Sequence, residues 1–309
     1  MFESRKSGLI AATIWGALLL AQAACGEKKE PRISQIETDG RGSTPVTSET
    51  TVTPVVKTTE ITGPVTFEDG EVAFGEKKYD EATKIFQVYT TEKPQNPWGF
   101  YMLGLSSWKS NDLETAETAF LKTVELDPSH VKGKFNLGRV YLDKGEPDKA
   151  VEQFTAALLI DSNSAEGYRL LGRAQDEQGL LVEAEHSYRQ AIKLDSADYW
   201  AMNNLAMNFI LQDRPGEALG VLARVVEIKP DNTLFQNNLG MALELNGYFV
   251  KASESYAKAV ELDTGSQKAM ENLARVTGHP DVEGLDELNL DALAAGFATE
   301  VSSPQVSTN

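Results

Sequence analysis

The chain has 309 residues, of which 41% are hydrophobic, so it is long enough to form one large globular domain or two small ones. Its net charge of −17 argues against nucleic acid and anionic lipid headgroups as primary partners, because both repel an acidic surface. One cysteine cannot form an intramolecular disulfide, and the three histidines show no metal-ligand spacing, so neither a metal nor another cofactor is expected.

The first 24 residues have the features of a secretory signal peptide. Arg5 and Lys6 precede an apolar run at 8–24, which is short for a membrane-spanning helix and ends in small residues. We therefore expect residues 1–24 to direct export and to be removed.

Two processing sites are consistent with this segment. Residues 21–23 fit an A-x-A cleavage site, which would release a soluble periplasmic or secreted protein. Residues 23–25 instead resemble the end of a bacterial lipobox, in which Cys25 receives acyl chains such as palmitate. Gly26 follows Cys25, where an aspartate often retains such lipoproteins at the inner membrane, so this resemblance implies a lipid anchor in the bacterial outer membrane.

Residues 25–62 are interpreted as a lipidated N-terminus followed by a tether. The segment is rich in Thr, Ser and Pro and has no helical or alternating apolar period, so we expect it to be disordered. The residues after Cys25 would span about 35 Å as a coil and ~115 Å as extended polyproline II. Such a spacer would give a lipid-anchored domain reach.

A pattern of small and large residues then recurs every 34 residues. Its fixed points are six alanines, namely Ala82, Ala116, Ala150, Ala184, Ala218 and Ala252. Twelve residues before them are Gly70, Gly104, Gly138, Gly172, Ala206 and Gly240. Four residues after them are Phe86, Phe120, Phe154, Tyr188, Leu222 and Tyr256. Two antiparallel helices and a short turn fill such a unit, and the small residues let the two backbones approach.

The spacing, and the stretch NLGRVYLDKGEPDKAVEQFTAALLIDSN at 136–163 in particular, resembles the tetratricopeptide repeat family. The resemblance implies an all-α fold, a right-handed superhelical α-solenoid of six helix-turn-helix units over 63–266. A further helix at 267–278 has no partner helix, and we interpret it as the cap that covers the last core face. The repeat domain is therefore predicted to span 63–278.

Residues 279–309 are acidic and then rich in Ser and Thr, which favours a frayed, disordered tail. The alternative is a short amphipathic helix that includes Leu288, Leu293 and Phe297.

One face of the first helix of the second unit is aromatic. Trp98, Tyr101, Leu105 and Trp108 follow one another at steps of three, four and three, which places them on one helical face. The family resemblance implies that they occupy positions 2, 5, 9 and 12 of the unit, which line the concave groove. We therefore expect them to face solvent and to bind a partner. The alternative is that the tether or the first unit covers them within the molecule.

The later units supply basic, amide and methionine side chains to the same groove. The candidates are Asn136, Arg139, Arg169, Arg173, Asn203, Asn204, Met207, Asn237, Asn238 and Met241. The arginines are candidate contacts for an anion or carboxylate, although exposed charge is often only solvated. Asparagines at the sixth position of a unit bind a peptide backbone in some family members, although Asn is common there in any case.

No nucleotide-binding glycine loop and no G-x-S-x-G sequence is present, so we expect no enzyme activity. The sequence favours a non-catalytic protein–protein interaction scaffold of the bacterial cell envelope, which binds a protein or peptide in its groove. The layout is similar to that of lipoproteins with six such repeats that help pilus secretins assemble, which implies an assembly factor of an outer-membrane machine. The alternative is an accessory subunit of an enzyme of cell-wall synthesis or hydrolysis.

Overall fold

The computed structural model describes residues 64–302, which form fourteen α-helices and, within that range, no β-strand. The helices are α1 (Phe67–Gly75), α2 (Tyr79–Glu92), α3 (Pro97–Lys109), α4 (Leu113–Leu126), α5 (Val131–Asp143), α6 (Pro147–Leu158), α7 (Ala165–Glu177), α8 (Leu181–Leu194), α9 (Tyr199–Leu211), α10 (Pro215–Ile228), α11 (Thr233–Leu245), α12 (Phe249–Leu262), α13 (Gln267–Val276) and α14 (Leu290–Ser302). Among them, none has the length and apolar content that a bilayer crossing requires. The predicted signal peptide, Cys25 and the tether lie outside the described residues.

The first twelve helices form six consecutive hairpins, and each helix packs mainly on the one before it and the one after it. The hairpins α1–α2 to α11–α12 are the six predicted units, and α13 packs on α12 as the predicted cap. The all-α solenoid of helix-turn-helix repeats is therefore confirmed. Burial in each unit depends on its neighbours, because no single hairpin can enclose its own apolar face.

Each hairpin is held by a large side chain of its second helix that packs on the backbone of its first helix. The ring of Phe154 lies so close to Gly138 that a Cβ atom there would be 2.4 Å from the ring. Ala150, one turn before Phe154, is fully buried. The small residues of the repeat are thus required by the close approach of α5 and α6.

The turn inside each unit uses a left-handed backbone at one fixed position. This position has positive φ in all six units, at Lys77, Asn111, Gly145, Gly179, Asp213 and Gly247. Glycine and asparagine adopt this conformation at little cost, which explains the turn residues of the sequence pattern. Lys77 lacks that freedom, so its turn carries some backbone strain.

The C-terminal segment differs from the expected frayed tail. Residues 290–302 form α14, which packs along α10 and also contacts α8. Phe297 and Ala294 are buried in this contact, at 7% and 4% exposure. A Cβ on Gly220 would lie 3.3 Å from the carbonyl oxygen of Leu293, so the glycine allows the two helices to approach closely. The expectation of a disordered tail was therefore wrong for residues 290–302, because α10 offers an apolar face that pairs with them.

Candidate functional site

The predicted groove residues lie on the first helices of successive units, and their side chains meet from one unit to the next. Asn238 of α11 donates to Asn203 of α9, and Asn272 of α13 donates to Asn237 of α11. Each of these bonds joins residues 35 apart in the sequence. Position 5 of one first helix is therefore in contact with position 6 of the next. We define the groove face as the surface formed by positions 2, 5, 6 and 9 of the first helices.

The aromatic stripe of α3 is only partly accessible. The side chain of Trp98 is 51% exposed, but Tyr101 and Trp108 are buried, at 9% and 6% exposure. The expectation that all three face solvent was therefore wrong for Tyr101 and Trp108. The reason is the packing of α5 on α3, which covers positions 5 and 12, whereas position 2 at the start of the helix stays open.

The two buried aromatic side chains also form polar contacts with the next unit. The indole nitrogen of Trp108 donates a hydrogen bond of 2.7 Å to a carboxylate oxygen of Asp143. The hydroxyl of Tyr101 accepts a 3.2 Å hydrogen bond from the amide of Asn136. Buried hydrogen bonds of this kind specify how one unit sits on the next, so these side chains hold the solenoid together.

Trp98 is held in place by two further rings. Its indole meets Tyr101 edge-on at 5.6 Å between centroids, and it meets His130 at 4.7 Å. His130 is buried, and its Nδ1 accepts a hydrogen bond of 2.9 Å from the backbone N–H of Gly133, at the start of α5. Burial lowers the pKa of His130, which favours the neutral ring. Trp98 is thus a half-exposed aromatic side chain on a rigid apolar support.

Sequence reasoning missed His130, although its position carried information. The corresponding residues before later first helices are Ser164, Asp198, Asn232 and Ser266, which are typical helix N-cap residues. A histidine in this place is unusual and can cap the helix while its ring packs on Trp98.

The three candidate arginines are paired with carboxylates of the chain. Arg139 contacts Glu166, Arg169 donates to Asp198 at 3.1 Å, and Arg173 donates to Glu177 at 3.2 Å. Each guanidinium side chain is at most one quarter exposed. An incoming carboxylate would therefore have to compete with an ion pair that is already formed.

The candidate asparagines form a ladder with one another. Asn203, Asn204, Asn237 and Asn238 are all nearly buried, and the two inter-unit amide bonds both measure 2.8 Å. The side-chain amide nitrogen of Asn204 is buried without a hydrogen-bond acceptor among the described residues. The ladder links α9, α11 and α13, and its buried amides have little freedom to reach a ligand directly.

What remains accessible beside the ladder is apolar. Trp200, Leu234 and Met241 are partly exposed there, whereas the candidate Met207 is buried, at 9% exposure. Together with Trp98 and the partly exposed Leu105 at the other end, they give the groove face two apolar regions with the paired arginines between them. Such a pattern suits a protein segment with two apolar anchors.

A buried carboxyl group lies at the junction of the fourth and fifth units. Asp176 accepts hydrogen bonds from the hydroxyl of Tyr188 at 2.7 Å and from the amide of Asn208 at 2.6 Å. Burial raises the pKa of Asp176 to about 6. Between residues 64 and 302, no group of His, Cys, Asp and Glu side chains is arranged to hold a metal ion.

Comparisons with known proteins give the following similarities. Sequence profiles of the tetratricopeptide repeat match residues 101–166, 140–199 and 169–233, and a second profile with the same description matches 235–265. Anaphase-promoting complex subunit 3 of Schizosaccharomyces pombe is 24% identical in an alignment of 244 residues that covers 68% of this chain and 37% of that protein. The chain thus spans little more than a third of the length of this relative.

Two solved structures share the fold. PilF from Pseudomonas aeruginosa superimposes with a TM-score of 0.53 at 20% identity, over 58% of this chain and 82% of that one. YrrB, described as a TPR protein with an unusual peptide-binding site, has a TM-score of 0.50 at 22% identity, over 61% of this chain and 97% of that one.

Proposed function

Because the chain belongs to the tetratricopeptide repeat family, we propose that it is a non-catalytic scaffold that binds a segment of another protein along its groove face. The observation that carries the proposal is the half-exposed indole of Trp98, held edge-on by Tyr101 and His130. A large aromatic side chain whose orientation is already set loses little entropy on binding, so it is a good anchor for a partner. The description of YrrB as peptide-binding supports this kind of ligand.

The groove face suggests what the bound segment contains. One apolar side chain would pack on Trp98 and Leu105, and a second would pack among Trp200, Leu234 and Met241. Methionine side chains adapt to ligands of different shape, which suits contact with an irregular protein segment. The paired arginines between these regions would contribute to orientation more than to affinity, since each already has a carboxylate partner.

The proposed place of action is the bacterial outer membrane, where the scaffold would be anchored through a lipid on Cys25 and would help a multiprotein machine of that membrane assemble. Support comes from the order of a signal peptide, a single cysteine, a Thr/Ser/Pro-rich segment and a repeat domain along the chain.

Site-specific photocrosslinking in living cells tests the proposal. A photoreactive phenylalanine analogue at Trp98 should crosslink to one partner protein, and Met241→Arg should reduce that crosslink by lowering affinity at the other apolar region. The matched control is the same analogue at Val182 of α8, which is 71% exposed and lies on a second helix. If both positions give the same products, or if Trp98 gives none, the groove face is not the binding site.

A further inference from the structure

The contact between α14 and the second helices of the fourth and fifth units shows that this solenoid can bind a helix on the face away from the groove. Phe297 of α14 lines two depressions, one shared with Leu205 and the other shared with Gly220 and Val221. Gly220 has no side chain, which lets the backbone of α14 lie against α10. Glu300 of α14 adds an ion pair of 3.0 Å with Arg189 of α8.

The docking place of α14 is defined by two positions of the repeat. Gly220 and Val221 are the 22nd and 23rd residues of the fifth unit. The residues at the 22nd position of all six units are Lys84, Thr118, Glu152, His186, Gly220 and Glu254. Only the second and fifth units therefore have a small uncharged residue there, and both follow it with an apolar one, Ala119 and Val221.

The second unit has an open cleft at this same place. The cleft has a volume of about 630 Å³, and its wall includes Phe100, Leu103, Thr115, Thr118, Ala119 and Leu121. Leu103 and Ala119 correspond in the repeat to Leu205 and Val221, which line the two depressions beside Phe297 of α14. Leu121 is 43% exposed and adds an accessible apolar side chain to the wall of the cleft.

We infer that this cleft is a docking site for an amphipathic helix of a partner protein. The expected apolar face carries a leucine and a phenylalanine four residues apart, as Leu293 and Phe297 are in α14. The argument is the repeat itself: the same backbone geometry, with a small residue at the 22nd position and an apolar one at the 23rd, holds such a helix in the fifth unit. The inference is independent of the groove, because Phe100 and Trp98 lie on different faces of α3.

The charges around the cleft indicate that recognition depends on shape and apolar contact. Lys122 is paired with Glu125 at 2.8 Å, and Glu114 is paired with Lys144 at 2.8 Å. Neither rim therefore presents a strong field of one sign. Thr118 has side-chain atoms where Gly220 has none, so a helix in this cleft should bind less tightly than α14 binds in its own place.

A peptide with the sequence of residues 286–302 is the probe for this site, with a photoreactive phenylalanine analogue in place of Phe297. It is added to the full chain, and crosslinks are mapped by mass spectrometry. We expect saturable binding and crosslinks within residues 100–122. Thr118→Arg should weaken binding at least tenfold, whereas Thr118→Ala should make it tighter, because it removes atoms that hold the helix away.

The matched control is Glu152→Arg, which places the same side chain at the 22nd position of the third unit and should leave binding unchanged. Leu121→Glu is a second test at an exposed position, and the thermal melting curve of each variant shows that it is folded. Crosslinks confined to α8 and α10 would mean that the peptide only replaces α14. That result, a lack of saturable binding, or equal binding by the Thr118→Arg and Glu152→Arg variants would each overturn the inference.

Discussion

The hydroxyl of Tyr188 donates a 2.7 Å hydrogen bond to the carboxylate of Asp176, between the second and first helices of the fourth unit. The sixth unit repeats this pair, since Tyr256 donates to Glu244 at 2.7 Å. The two carboxyl groups respond to burial differently. Burial raises the pKa of Asp176 to about 6, whereas in Glu244 the same effect is outweighed by hydrogen bonds from Arg275 and Tyr256, and the pKa is lowered. The two units should therefore respond to pH in opposite directions.

Asp176 should make the solenoid more stable as the pH falls. The folded chain holds this proton more tightly than the unfolded chain, so the contribution is complete below about pH 4 and is lost as the pH rises through about 6. A difference of about two pKa units corresponds to roughly 3 kcal/mol of unfolding free energy. Asp176→Asn should remove this pH dependence, and melting curves of both proteins from pH 4 to 7 measure it. Parallel pH dependences of the two proteins would contradict the prediction.

The two tryptophans of α3 should have separate effects. Trp98→Ala should weaken partner binding by about 2 kcal/mol or more with little change in stability, because its indole is half exposed. Trp108→Ala should lower the unfolding free energy by about 3–5 kcal/mol, because it empties a buried site and removes the hydrogen bond to Asp143. A denaturation curve and a binding curve on each variant distinguish these outcomes. Strong destabilisation by Trp98→Ala would show that this side chain has a structural role instead.

The C-terminal helix should depend on Gly220. Gly220→Leu places a side chain where a Cβ alone would be 3.3 Å from the carbonyl oxygen of Leu293, so α14 should detach. Amide hydrogen exchange of residues 290–302 should then become much faster. Exchange in α10 should stay slow, because leucine has a higher helix propensity than glycine. Gly296→Ala is the control, since a Cβ there meets nothing within 4 Å and should stabilise α14. Unchanged exchange in the Gly220→Leu protein would contradict this account of the contact.

Cys25 lies outside the described residues, and its role stays a prediction. Cys25→Ser should move the protein from the membrane fraction to the soluble fraction or leave it unprocessed, because the acyl chains would have no attachment site. Membrane fractionation and mass spectrometry of the mature protein measure this. A mature N-terminus at Ala24 without lipid would show that the A-x-A site is the one used.

Much of the fold could be predicted from the sequence, because the residues that recur in the repeat are those that pack against each other within one hairpin. Gly138, Ala150 and Phe154 recur at fixed spacing since one ring must fit against one backbone, and this requirement is local to the unit. The turns were predictable for a similar reason, because positive φ at Gly145 and Gly179 selects glycine. The number, order and pairing of the helices of the six hairpins thus followed from residues that contact each other within 34 positions.

The candidate site was less predictable, because the exposure of its side chains depends on how the neighbouring unit packs against them. Trp98 and Trp108 lie on the same face of one isolated helix, and only the packing of α5 buries one of them and leaves the other open. The bond from Asn238 to Asn203 also joins different units, and Trp98 contacts His130, the N-cap residue of α5, at the boundary between the second and third units. A helical period shows which side chains share a face, but it does not show how far the neighbouring helix extends over that face.

By itself the sequence determined the repeat, the family and the order of the helices, because these depend on contacts within a unit and recur six times. Tertiary structure alone decided that Trp98 stays exposed, that the arginines of the groove face pair with carboxylates and its asparagines with one another, and that residues 290–302 form a helix on α10. The physical reason is that each of these features depends on contacts between different helices or on side chains that the repeat does not share among its units. The periodic pattern describes only what the units have in common.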